Sequence, residues 1–250
     1  LVPKFGTKKI MTIGLVIISF SNIILVSAPT YFILLLAHIP AGIGWGSSGP
    51  IGGIHAQLIE RHSGKIISPY YAMGFNIGIF IGGILAGFIL GNTMSPTFVF
   101  LILFFLSIIV SLIIYMNGLP KDLDFKGEGE KLKIPEKNVL IFGFLLFVIF
   151  GSNGIIIDWS ALWFTKELNA PLYLASLGLI SISCGGIFAN LFSNQLINLF
   201  SEKIVGCYFV IFGSLILFSS IIIGNYYFIL FTFFFYGFLT ANLVPIIIRQ

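Results

Sequence analysis

The chain has 250 residues, 58% hydrophobic and only 9% charged, with a net charge of +4 and a mean hydropathy of +1.07. A water-soluble domain runs nearer half apolar and a quarter charged, so that class is excluded. A β-barrel is excluded as well, because it would read as short alternating segments and this chain reads as long apolar runs. What remains is all-α: a polytopic transmembrane helical bundle.

Eight apolar segments are long enough to span at roughly 20 residues each. They fall at 10–28, 31–58, 69–91, 96–117, 138–158, 172–198, 204–223 and 226–248, with Pro29, Pro69, Pro96, Asn138, Pro171 and Gly224-Asn225 at the junctions. Basic residues set the orientation. With the N-terminus inside, the inner loops hold Lys4, Lys8, Lys9, Arg61, Lys65, Lys121, Lys126, Lys131, Lys133, Lys137, Lys203 and Arg249, and the outer loops hold only Lys166. That asymmetry follows the positive-inside rule and places residues 1 and 250 both in the cytoplasm, in a multi-pass membrane protein. The positive charge thus reflects topology, and nucleic acid is not an expected partner.

The first residues form a basic loop, Lys4-Phe5-Gly6-Thr7-Lys8-Lys9. There is no cleavable signal peptide and no initiator Met, so the chain reads as a fragment or as having a non-native start. The second span is the one the others are organised around. It carries no charge until Glu60, yet contains Pro40, Pro50, a run of glycines, His38 and His55. Polar rings at membrane depth are costly and face a bundle interior or a water-filled cavity, so this helix reads as lining a pathway. His38 is either a group that binds solute or handles a proton, or a buried imidazole satisfied by a neighbour. Trp45 lies mid-span and could offer a stacking surface; Gln57 could line the inner vestibule. Glu60 with Arg61 reads first as an interfacial pair, with a coupling role as the alternative. Gly46-Ser47-Ser48-Gly49 matches the Gly-x-Ser-Gly of intramembrane serine proteases, but such an enzyme needs a His from another helix, and all three histidines lie on this span or in the loop after it. No enzyme activity is expected.

Gly74, Gly78 and Gly82, with Gly83 and Gly87, make a small-residue stripe on the third span, as do Gly178, Ser181, Gly185 and Gly186 on the sixth. Such stripes let helix backbones touch. The loop 118–137, with five basic and five acidic residues, reads as a solvated linker that divides the helices four and four, into bundles at 1–117 and 138–250. Asn76, Asn153 and Asn242 are amides that must face protein or water, and with Tyr236 they are candidates for a cavity. Asp158 with Trp159 ends the fifth span. Cys184 and Cys207 fall in apolar runs and are expected as free thiols. No metal-ligand spacing and no cofactor or nucleotide motif is present, so neither a metal nor a cofactor is expected.

A repeat runs at an offset near 195: Phe5 and Lys8 match Phe200 and Lys203, and Tyr31-Phe32-Ile33-Leu34 matches Tyr227-Phe228-Ile229-Leu230. Both copies of the second match open a span in the same direction, as expected of a transporter made of two similar halves. If the first two spans repeat as the seventh and eighth, each unit is six helices long.

That arrangement resembles the major facilitator superfamily, with this chain covering helices 3 to 10 of twelve. Lys4-Phe5-Gly6-Thr7-Lys8-Lys9 looks like the end of the family's loop after helix 2, Asp-Arg-x-Gly-Arg-Arg, with Pro3 standing where the Asp would be. His38-x-x-x-Gly42-x-Gly44 sits where the family often has Arg-x-x-x-Gly-x-Gly. Asp158-Trp159-Ser160-Ala161-Leu162-Trp163 and Leu168-Asn169-Ala170 are similar to the helix 7–8 junction of a bacterial subgroup, the YbjJ-like permeases, as are Gln57 and Glu60 to its helix 4 ending. In the family, the loops after helices 2 and 8 help latch the cytoplasmic gate. The resemblance therefore implies gate or coupling roles for Lys4, Gly6, Lys8, Glu60, Asp158 and Asn198. Ser193 to Ser201 departs from the family's second latch loop, with Asn for its acids and Ser for its glycines. The resemblance implies a monomeric secondary active transporter that moves a small neutral or sugar-like solute by alternating access, with a coupling proton as a further candidate partner. The alternative is a non-transporting or degraded relative.

Overall fold

The computed structural model describes residues 2–65, 67–92, 94–123, 136–243 and 246. Every regular element among them is helical. Six segments are long and apolar enough to cross a membrane: Thr7–Ser27 (α2), Tyr31–Ser63 (α3), Ser68–Gly91 (α4), Pro96–Asn117 (α5), Leu172–Leu191, which contains α7 (Leu177–Leu191), and Ser193–Ile223, which contains α8 (Ser193–Lys203) and α9 (Phe209–Ile223). A single turn, α1 (Val2–Phe5), precedes them. α6 (Lys137–Lys166) and α10 (Tyr226–Thr240) occupy the other two expected spans. Large apolar side chains such as Phe20, Leu36, Phe105 and Phe147 are exposed along these helices, as a multi-pass membrane protein requires.

Several boundaries differ from the sequence reading, three of them by a change in the chain's course. α6 does not end at Asp158; it runs on to Lys166, because Ile156, Ser160 and Phe164 recur at helical spacing on one buried stripe. The span expected over 172–198 stops at Leu191. Phe192 leaves the helix, and the polar start of Ser193-Asn194-Gln195 begins the separate, amphipathic α8. α9 is entered through a π-helical turn, Ile204–Tyr208. Of the linker expected over 118–137, residues 124–135 lie outside the described residues, as do residues 1 and 250.

The chain divides into two compact units, Leu1–Ser68 with Met94–Lys133, and Pro69–Thr93 with Ile134–Gln250. α4 thus groups with the later helices.

In the first unit α2 packs against α3 and α5. α3 turns a row of small residues to α2: Ala37, Ala41, Gly44 and Gly52 are buried. A Cβ on Gly14 would sit 2.7 Å from that of Ser47, and one on Gly44 would sit 2.6 Å from the Ile18 nitrogen. Only glycine admits backbones that close. Pro40 and Pro50 lie inside α3 without ending it.

In the second unit the tightest contact joins α7 and α10. A Cβ on Gly185 would collide with the carbonyl of Phe234, and one on Gly237 with that of Ile182. Beside this crossing, Ile156, Phe164, Ile182, Ile229, Phe233 and Tyr236 form the core, with Phe164 and Phe233 stacked at 5.8 Å. α4 joins through Gly83, where a Cβ would meet Ile180 at 2.9 Å, and Gly87, where it would meet Ser176 at 2.7 Å. Gly186 stands against the Asn76 amide. A Cβ on Gly74, Gly78 or Gly82 would meet no described atom of this unit within 4 Å. They lie on a stripe rotated away from Gly83 and Gly87.

Candidate functional site

The two sides of α3 are built differently. Opposite the small-residue row that α2 covers lie His38, Gly42, Trp45 and Gly49, recurring at intervals of three or four residues and so forming one stripe. His38 is exposed and Trp45 is 51% exposed. A Cβ on Gly42 or Gly46 would meet nothing within 4 Å, while the Trp45 ring lies back over Gly49. The stripe continues through Gly53 to the half-buried Gln57 and Glu60. The open side of α3 thus presents an imidazole and an indole among exposed aliphatic side chains such as Ile39 and Ile43, with the half-buried Gln57 amide further along.

His38 Nδ1 lies 2.8 Å from the Leu34 carbonyl, one turn back on the same helix. A carbonyl can only accept, so Nδ1 carries the proton and Nε2 offers a lone pair outward. Such a group accepts a hydrogen bond from a hydroxyl or amide. Ser48 makes no comparable surface: its hydroxyl donates to the Gly44 carbonyl at 2.8 Å, and the nearest histidine along the helix is engaged elsewhere. The pairing of nucleophile and base that a serine protease needs is not formed there.

That histidine, His55, is the buried one, 6% exposed. Its Nδ1 lies 2.8 Å from Thr7 Oγ1, and its Nε2 accepts from the Leu119 backbone N–H at 3.4 Å. Because the Leu119 amide can only donate, the proton sits on Nδ1 and the hydrogen bond runs from Nδ1–H to Thr7. His55 thereby ties the start of α2 and the end of α5 to α3. Beside it Lys8 Nζ reaches the Gly118 carbonyl at 3.4 Å and lies 5.2 Å above the Tyr115 ring. His55 was weighed in the sequence and given no role. Its signal was its spacing from Gly44 and Gly52, on the row that packs against α2.

The remaining residues singled out in the sequence take these places. Glu60 Oε2 accepts from the backbone N–H groups of Ile67 and Ser68, at 3.3 and 3.1 Å, and from the Ser68 hydroxyl, so its carboxylate caps the start of α4. Lys4 is exposed, its ammonium 5.3 Å from the Phe5 ring. Gly6 is buried with φ 81°. Asp158 and Asn198 are exposed on α6 and α8, and Asn153 is half-buried on α6. Asn76 donates from Nδ2 to the Ala72 carbonyl at 3.1 Å. Tyr236 is taken into the core of the second unit at 5% exposure, which gives its ring to packing.

Asn242 is 1% exposed and donates from Nδ2 to the Ala189 carbonyl at 3.0 Å. Asn190, next to Ala189 in sequence, is 2% exposed. Among the described residues neither of its amide atoms has a hydrogen-bond partner, and nor has Asn242 Oδ1.

A family model described as Major Facilitator Superfamily matches residues 1–249. Among curated proteins, none matches the sequence.

Proposed function

Because this chain belongs to the Major Facilitator Superfamily, whose members are transporters, we propose that it takes part in moving a small, neutral or sugar-like solute across a bacterial inner membrane by alternating access. The observation that carries this reading is the uncovered stripe on α3. His38 Nε2 offers an acceptor for a solute hydroxyl, Trp45 a ring on which a sugar-like face can lie, and Gln57 an amide further along the same side. None of these side chains carries a fixed charge, which suits a neutral solute. In this reading the two halves of the repeat rock about the close glycine contact of α4 with α7. The likeness of Asp158-Trp159-Ser160-Ala161-Leu162-Trp163 to YbjJ-like permeases, and the assignment of the chain to helices 3 to 10 of twelve, belong to this proposal. So do a monomeric state, cytoplasmic placement of both termini and a coupling proton.

The test is uptake into proteoliposomes of the complete gene product against a panel of sugars, polyols and neutral amino acids. Saturable uptake of one solute class, reduced at least about ten-fold by His38→Ala, is the expected result; losing a hydrogen bond to a solute hydroxyl costs that much or more. A second reading, a relative that no longer transports, is favoured by one feature. Both latch loops lack their aspartate, and the second has Ser201 in a backbone conformation suited to glycine. The absence of flux across the whole panel, from protein shown to be folded, would decide for that reading.

A further inference from the structure

We propose that the first unit carries a site for one anionic phospholipid, with an acyl chain in a groove between α2 and α5 and the phosphate at Lys8 and Lys9. The groove holds about 310 Å³. Its floor is made by two small residues, Thr12 and Ser111, which bring the helices together; the Ser111 hydroxyl lies 3.5 Å from the Thr12 carbonyl. Ile13 and Ile17 on α2 and Leu112 and Tyr115 on α5 rise beside that floor as walls, so the furrow is apolar along its length. Thr12 spends its own hydroxyl on the carbonyls of Lys8 and Lys9 and presents its methyl group instead.

The second observation is charge at one end of the furrow. Tyr115, which lines the groove, carries the Lys8 ammonium 5.2 Å above its ring. Lys9 follows in sequence, its ammonium 5.7 Å from the Phe5 ring. Among the described residues no carboxylate pairs with either lysine; their contacts are aromatic rings and, for Lys8, the Gly118 carbonyl. An apolar furrow on a membrane-crossing helix pair that ends at two ammonium groups matches the two parts of a phospholipid in the same order. Basic groups between helices at the membrane surface favour anionic over zwitterionic headgroups, because choline would bring its own positive charge beside the lysines. The inference stands on membrane insertion alone and does not depend on what the protein transports.

Native mass spectrometry of the complete gene product, with phosphatidylglycerol and phosphatidylcholine of identical chains titrated separately, tests it. The first phosphatidylglycerol is expected to bind about five- to ten-fold more tightly than the first phosphatidylcholine. Lys8→Gln with Lys9→Gln should bring that ratio below about two-fold, since each lysine supplies a few-fold of it. Ile13→Trp, at a wall residue 49% exposed and therefore open to a larger side chain, should weaken the first binding of both lipids. Equal affinity for the two lipids, a preference that survives the double lysine change, or binding indifferent to Ile13→Trp would each overturn the proposal. So would displacement of phosphatidylglycerol by inorganic phosphate, which would show a headgroup site with no chain in the groove.

Discussion

Gly6 and Ser201 hold the same unusual backbone conformation, φ 81° and ψ 154° at the first and φ 69° and ψ 155° at the second. They stand at equivalent positions of the sequence repeat, each following a phenylalanine and preceding a lysine by two residues. The equivalence extends to the next helix start. Thr30 caps α3 by accepting from the Ile33 N–H at 3.3 Å, and Asn225 caps α10 by accepting from the Phe228 N–H at 3.1 Å. A four-letter sequence match thus rests on a shared backbone design. Each copy sharply redirects the chain just before a membrane helix.

Glycine reaches that conformation without penalty, and a side chain there costs on the order of 1–3 kcal/mol. Ser201→Gly should therefore raise stability by about 1 kcal/mol or more, and Gly6→Ala should lower it by a similar amount. Thermal unfolding followed by intrinsic fluorescence in detergent reads both. If Ser201→Gly leaves the midpoint unchanged or lowers it, the strain assigned to Ser201 is absent.

The crossing of α7 and α10 predicts a sharper asymmetry among glycines. Gly185→Leu and Gly237→Leu place side chains into opposing carbonyls and should abolish the monodisperse folded species on size exclusion. Gly78→Leu, on the open stripe of α4, should leave it intact. Equal tolerance at all three would mean that α7 and α10 do not approach through these glycines.

His55 joins three elements, so its removal should be felt away from its own helix. His55→Ala removes the hydrogen bonds that the buried ring makes to the Thr7 hydroxyl and the Leu119 N–H and should cost about 1–3 kcal/mol. Hydrogen exchange should rise at residues 117–119 and at the first turn of α2. His38→Ala, at an exposed position, should leave stability within about 0.5 kcal/mol. The opposite ranking of the two histidines would contradict the placement of α3.

The helices were legible in the sequence because each span must be apolar for its full length, and the small-residue row of α3 was legible because glycine and alanine recur at helical spacing. Which stripe faces which neighbour was not. In a membrane helix, lipid-facing and buried positions are both apolar, so no hydrophobic period separates them. Hence Gly74, Gly78 and Gly82 read as well as Gly83 and Gly87, although only the latter two meet α7 or the turn before it. The end of α7 was hidden for a related reason: Leu191 and Phe192 continue the apolar run, and only the polar residues after them mark the break. The histidines differ only in the row they fall on, His55 with Gly44 and Gly52 and His38 away from them. Their difference in burial comes from α2 lying against one side of α3.

The central claim is that the exposed stripe of α3 borders water. Single cysteines placed along α3, in a background with Cys184 and Cys207 replaced by serine, can be probed with a membrane-impermeant maleimide, which needs a water-exposed thiolate to react. The account predicts labelling at positions 38, 42, 45, 49 and 57 and protection at 37, 41, 44, 52 and 56. Inertness at every position of the first set, in protein that folds, would place that stripe against lipid and contradict the account.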